Sequence, residues 1–128
     1  MQLEFVSVED FYFALTLETR LLHEWNDAAL VDQARLKLMA HYGEPSTIAA
    51  ARQNTFNYVF RVSGGEGTGA MVELLDWGEQ LRLNSSYGLV RAPDGKVNRL
   101  ESFEKRPAFA REVADYFAAQ LGLPLVLD

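Results

Sequence analysis

Residues 55–63 read TFNYVFRVS, and this stretch decides how the chain folds. Its even positions are all aromatic or aliphatic, whereas most of its odd positions are polar. A period of two is typical of a β-strand that buries one face. No other stretch of the chain gives as strong a strand signal.

Toward the C-terminus, the pattern predicts more strands joined by short turns. We expect a strand over residues 70–77, a strand from Leu81 that residues 87–91 continue or restart, and a returning strand over residues 96–103. The sequences DWGE at 76–79 and APDG at 92–95 are typical of tight turns. Short connections of this kind favour an antiparallel meander.

A terminal helix follows the predicted meander. Pro107 suits the first position of a helix, where its missing N–H costs no hydrogen bond. Gly122 then ends the helix, and residues 123–127 form an apolar tail that we expect to add an edge strand.

Toward the N-terminus, helical spacing prevails. After a short strand over residues 3–7, Ser7 caps a helix that is predicted to run from Val8 to about Trp25. Residues 11–17 also alternate as a strand would, so this assignment stays open, and helix is favoured because the pattern exceeds strand length.

Two more helices are predicted before the first strong strand. Asn26 and Asp27 cap a helix over residues 28–42, which Gly43 ends. Ser46 is expected to cap a short third helix over residues 47–52. The fold class is therefore predicted as α+β, with N-terminal helices, an antiparallel meander of three to five strands and a C-terminal helix packed on one sheet face. We expect residues 1–128 to form a single globular domain.

Composition and charge narrow the classes of function. The 128 residues are 48% apolar and 23% charged, lack cysteine and carry a net charge of −6. Without cysteine there is no disulfide framework or thiolate zinc site, which favours a cytoplasmic protein. The acidity makes nucleic acid an unlikely partner despite a basic stretch over residues 80–111. No apolar run is long enough to predict a membrane partner.

Two features of the sequence resemble a phosphate-binding loop and a metalloprotease motif, but each lacks the residues or the spacing that its motif requires. Residues 64–69 read GGEGTG, but Ala70 and Met71 follow where a phosphate loop needs Lys and Ser or Thr. His23 and His41 do not have the spacing of a metalloprotease motif, and we expect His41 in the core. We predict no cofactor, no metal site and no catalytic residue.

Carboxylates beside an aromatic residue offer the remaining route to catalysis. Glu73 and Asp76 lie on or beside a predicted strand next to Trp77. Burial of a carboxyl group against an aromatic ring can raise its pKa. We nevertheless expect Glu73 to lie on the solvent face of its strand.

Trp77 is the residue that points to function. It lies in a polar turn, where it is either an exposed anchor for a partner or folds back over the sheet edge. The predicted partner-binding residues are Asp76, Trp77, Glu79 and Tyr87. The predicted function is a non-enzymatic protein-binding module, of bacterial or phage inhibitor, immunity or chaperone character. Its partner is another protein, with a homodimer possible. The alternative is a small-molecule-binding domain with an apolar or aromatic pocket between helices and sheet.

Overall fold

A computed structural model describes residues 2–6, 12–48, 55–63, 70–91, 94–99 and 107–125. Within these ranges the chain forms one antiparallel sheet of seven strands and two helices, which is an α+β fold. In chain order the elements are β1 (Gln2–Val6), β2 (Tyr12–Trp25), α1 (Ala28–Tyr42), β3 (Ser46–Ile48), β4 (Thr55–Ser63), β5 (Ala70–Asp76), β6 (Leu81–Arg91), β7 (Val97–Arg99) and α2 (Pro107–Leu121).

The sheet is organised around the predicted meander of β4, β5 and β6. The strand order is β1-β4-β5-β6-β2, with β3 paired to β4 and β7 paired to β6. Val59 lies opposite Glu73, and Glu73 lies opposite Asn84. The strands predicted over 55–63 and from 81 are confirmed, and β5 ends one residue earlier than predicted. Of the predicted strand over 96–103, Val97–Arg99 is a strand and residues 100–103 lie outside the described residues.

The prediction that helices come first is wrong, because β2 occupies most of the residues assigned to the first helix. Strand β2 pairs with β6 along its length, and the register shifts between Leu21 and His23. This bulge adds one residue to β2. Leu22 and Trp25, three positions apart, therefore both pack on the core. The bulge thus reproduces the spacing of a helix within a strand. The proposed cap, Ser7, lies outside the described residues.

The first helix among the described residues is α1, and its predicted bounds are confirmed. Asp27 Oδ1 accepts hydrogen bonds from the backbone N–H groups of Ala29 and Leu30, at 3.1 and 3.3 Å. At the other end Gly43 has a φ of 79° and donates its N–H to the carbonyl oxygen of Met39. His41, expected in the core, is exposed.

The short third helix predicted from Ser46 is wrong over Ser46–Ile48, which pairs with β4 as strand β3. Pairing with β4 gives these three residues backbone partners that one turn of an isolated helix lacks. The remainder of that prediction, residues 49–52, lies outside the described residues.

The main core lies between one face of the sheet and the two helices. Phe117 of α2 packs edge-on against Phe60 of β4, with ring centroids 5.0 Å apart. Helix α2 starts at Pro107 and ends before Gly122, as predicted. The tail does not form the expected edge strand over residues 123–125. Instead, Leu123 is buried in the core and the Trp25 indole N–H donates to the carbonyl oxygen of Pro124 at 3.1 Å. Neither described helix is of a length and apolarity that would cross a bilayer.

Candidate functional site

The turn between β5 and β6 is a four-residue loop with a defined backbone. The N–H of Trp77 donates to the carbonyl oxygen of Gln80 at 3.0 Å, which closes the loop. Asp76 Oδ1 accepts from the N–H of Gly78 at 2.9 Å. Gly78 has a φ of 85°, which a residue with a side chain rarely adopts. The tight turn predicted here is confirmed.

Helix α1 fixes this turn through Arg35. Its guanidinium group donates to both carboxylate oxygens of Asp76, at 2.5 and 3.0 Å, and also to the carbonyl oxygen of Gly78. A fourth contact joins it to Asp32 at 2.6 Å. The pKa of Arg35 is raised above its ordinary value, chiefly by the hydrogen bond to Asp76. A two-pronged arginine–carboxylate pair is geometrically specific, so the turn is held in one position against the helix.

Trp77 projects from this fixed base. Its side chain is 52% exposed, so the exposed alternative for this residue is the correct one. The guanidinium carbon of Arg82 lies 4.8 Å from the centre of the Trp77 ring. A cation over an indole face is worth about 0.5–1 kcal/mol at an exposed site. About half of the Trp77 surface remains exposed to solvent beside this contact.

The structure brings three of the four predicted site residues together. Asp76, Trp77 and Glu79 share the turn, where Glu79 is exposed and Asp76 is engaged by Arg35. Tyr87 does not belong to this surface. It lies on β6 six residues beyond Leu81, roughly 20 Å along the strand. The side chain of Tyr87 lies outside the described part of the chain.

A groove opens beside the turn, where the end of β2 meets α1 and the C-terminal tail. Its volume is about 560 Å³. Leu22, Trp25, Leu30 and Leu123 supply apolar lining, and Glu24 and Asp27 lie among its polar lining residues. A volume in the range of roughly 300–1,000 Å³ is that of a small-molecule site. Sequence reasoning missed this groove because it placed residues 21–25 in a helix.

Two side-chain contacts connect the groove to the turn. Gln80 donates from Nε2 to Asn26 Oδ1 at 2.5 Å. Arg82, which lies over Trp77, also has its Nε 3.3 Å from Glu24 Oε1. The turn, the end of β2 and the groove therefore form one continuous surface.

A second polar cluster lies on the sheet face opposite the helices. Glu73 is completely buried there, so the expectation that it faces solvent is wrong. Asn57 donates from Nδ2 to Glu73 Oε2 at 3.1 Å, and Asn84 lies opposite Glu73 on β6. Met71 and Leu75 flank Glu73 along β5 and are also buried. The near-continuous apolar run AMVELL at 70–75 is the signal that both faces of this strand are buried.

Two amide oxygens of this cluster, Asn57 Oδ1 and Asn84 Oδ1, are buried and accept no hydrogen bond from any residue that the structure describes. The orientation of Asn57 follows from its neighbour, because a flipped amide would place its oxygen against the Glu73 carboxylate. Neither acceptor lines the groove at the end of β2 or the small cavity between α1 and α2.

Metal-binding geometry is absent from the described ranges, which hold no cluster of three His, Cys, Asp or Glu side chains that would bind an ion. No protein-family model matches the chain, and neither a curated protein nor a solved structure is similar to it.

Proposed function

We propose that this chain is a non-enzymatic protein-binding module that contacts its partner through the β5–β6 turn. The observation that carries the proposal is Trp77, a half-exposed tryptophan on a turn that α1 and Arg82 hold in place. Tryptophan is enriched among the few residues that contribute most of the binding energy at protein interfaces. A fixed anchor also loses less conformational entropy on binding than a mobile one.

The character of the module follows from the chain as a whole. A small, acidic, cysteine-free protein suits an inhibitor, immunity protein or chaperone of the cytoplasm, in a bacterium or phage. Such proteins act by covering a surface of another protein, and they need no catalytic group of their own.

The test compares two exposed apolar side chains of the same chain. Tagged protein captures its partner from the lysate of the native host, and the affinity is then measured with purified components. We expect Trp77→Ala to weaken binding by about 2 kcal/mol or more, as interface hot spots do. Leu36→Ala is the matched control, because Leu36 is exposed on the outer face of α1. Equal affinity of Trp77→Ala and wild type, with both proteins folded, would exclude the turn as the binding site.

A second candidate function is small-molecule binding in the groove. The observation in its favour is the volume of about 560 Å³ beside Trp25 and Leu30, between helix, sheet and tail. A thermal-shift screen against apolar and aromatic metabolites tests it. A hit that loses its shift in Leu30→Ala but keeps it in Trp77→Ala supports this function over the first.

A further inference from the structure

We infer that the surface running from Trp77 to Leu21 binds an extended, basic and apolar segment of the partner protein. This inference rests on the proposed function and names the chemistry of the partner. Trp77 and Leu21 form the apolar ends of the surface, since they are 52% and 49% exposed. Arg82 and Glu24 lie between them, and the four residues together are termed the anchor strip below.

Strand register places the anchor strip on one sheet face. Glu24 lies opposite Arg82, and Leu21 lies opposite Asn84, which is two residues along β6 from Arg82. Residues opposite each other in an antiparallel pair share a face, as do residues two apart on one strand. Trp77 joins this face through its contact with Arg82. Arg20 lies opposite Ser85, on the other face.

The ion pair at the centre of the anchor strip leaves Glu24 available to a partner. Arg82 Nε is 3.3 Å from Glu24 Oε1, but the N–H is not aligned to form a hydrogen bond. Both side chains are close to 30% exposed. A lysine or arginine from a partner therefore reaches the Glu24 carboxylate without first breaking a well-formed bond.

Charge around the anchor strip selects a basic partner. Acidic groups outnumber basic ones along the turn, the start of α1 and the end of β2. Beside the anchor strip the carboxylates are Glu24, Asp27 and Glu79, and the guanidinium group is that of Arg82, whereas Asp32 and Asp76 are paired with Arg35 of α1. The excess of two negative charges is a third of the net charge of the whole chain. Complementary charge on the partner speeds association and rejects acidic competitors.

The spacing of the anchors matches an extended chain. Neighbouring strands lie about 4.8 Å apart and residues along a strand about 3.3 Å apart. Leu21 lies level with Glu73 two strands away, and Trp77 is four residues along the chain from Glu73, which puts the Cα atoms of Leu21 and Trp77 roughly 16 Å apart. An extended segment covers that distance in about five residues, so the expected pattern is a basic residue between two apolar residues.

A random dodecapeptide library displayed on phage, selected on the immobilised full chain, tests this inference. We expect enriched peptides to carry Lys or Arg between two apolar residues. For a synthetic peptide of that kind, Leu21→Ala and Trp77→Ala are each expected to raise Kd at least tenfold. Glu24→Gln is expected to raise Kd severalfold and to flatten its dependence on salt, while Leu36→Ala leaves Kd unchanged. Circular dichroism verifies folding, and Leu21→Gln replaces Leu21→Ala if the latter is unfolded.

Several outcomes would overturn the inference. Enrichment of acidic peptides, a lack of enrichment, or a Kd indifferent to Leu21 and Glu24 each contradicts it. A dimer in light scattering that Leu21→Ala dissociates would mean that a second copy of the chain, and not a peptide segment, covers the anchor strip. If capture of the native partner depends on Trp77 but not on Leu21 or Glu24, the proposed function stands and this inference fails.

Discussion

The guanidinium group of Arg35 holds both carboxylate oxygens of Asp76, which joins the middle of α1 to the last residue of β5, 41 positions later. The Asp76 side chain is largely buried, whereas Asp32, the other carboxylate on Arg35, is exposed. One arginine therefore makes a structural contact on one side and a solvated ion pair on the other. Trp77 follows Asp76 directly, so the position of the exposed indole depends on this contact.

Arg35→Ala is expected to lower the free energy of unfolding by roughly 1–3 kcal/mol, because Asp76 would lose its charged partner while remaining mostly buried. Urea denaturation measures the change. Asp32→Ala serves as the control and should change stability by less than about 0.5 kcal/mol, as exposed ion pairs do. Equal losses in the two variants would contradict the structural role given to Asp76.

Arg82→Ala is expected to loosen Trp77 without unfolding the chain. Removing the guanidinium group from the ring face costs about 0.5–1 kcal/mol of local interaction. The change should appear as a lower fluorescence anisotropy of Trp77, measured in a Trp25→Phe background. Affinity for the native partner should fall by less than in Trp77→Ala. A Trp77 anisotropy equal to that of the background protein would show that Arg82 does not order the anchor.

Glu73 provides a test of the buried polar cluster. Glu73→Ala leaves the Asn57 amide without its acceptor in the sheet interior, and we expect a loss of about 2 kcal/mol or more, since a cavity is added to an unsatisfied donor. Glu73→Gln keeps an oxygen for Asn57 and nearly the same volume, so it should cost less. Thermal unfolding of the pair measures the difference. Stability of Glu73→Ala at or above that of Glu73→Gln would contradict the role of the hydrogen bond.

The raised pKa of Tyr58 predicts how the free energy of unfolding changes at alkaline pH. Burial, above all, raises the pKa of Tyr58 from 10.0 to about 12, and its hydroxyl donates to the carbonyl oxygen of Gly43 at 3.1 Å. The unfolded chain loses this proton near pH 10, whereas the folded chain keeps it until about pH 12. Stability contributed by the neutral hydroxyl is thus fully present below pH 10 and is lost as the pH rises to 12.

Tyr58→Phe should therefore flatten the decline of stability between pH 10 and 12. Denaturant titrations across that interval measure it, with tyrosinate absorbance as the direct record of ionisation. Tyr42 has a pKa that is also raised by burial, so Tyr42→Phe is the parallel variant and part of the decline should remain in each. If the free energy of unfolding of Tyr58→Phe fell with pH as steeply as that of the wild type, ionisation of Tyr58 would not be the cause of the decline.

Only part of the candidate site could be predicted from the sequence. Trp77 was found from sequence because a large aromatic residue in a polar turn is conspicuous by itself. Arg82 and Leu21 were missed as its companions. Leu21 lies in a stretch for which the sequence predicts a helix, and its neighbour across the sheet is Asn84, 63 residues away. Tyr87 was placed in the same site as Trp77 although the extended β6 strand carries it away from the turn.

By itself, the sequence determined the elements whose signals are local. Helix α1 follows from the Asp27 cap and Gly43, and the β4–β5–β6 meander follows from alternation and tight turns. Tertiary structure alone decided that β2 is a strand, because its bulge mimics helical spacing and only pairing with β6 resolves it. It also decided that Glu73 is buried, since alternation divides a strand into two faces but does not say which of them is covered. The anchor strip is also decided by tertiary structure, because its residues become neighbours only when strands distant in sequence pair with each other.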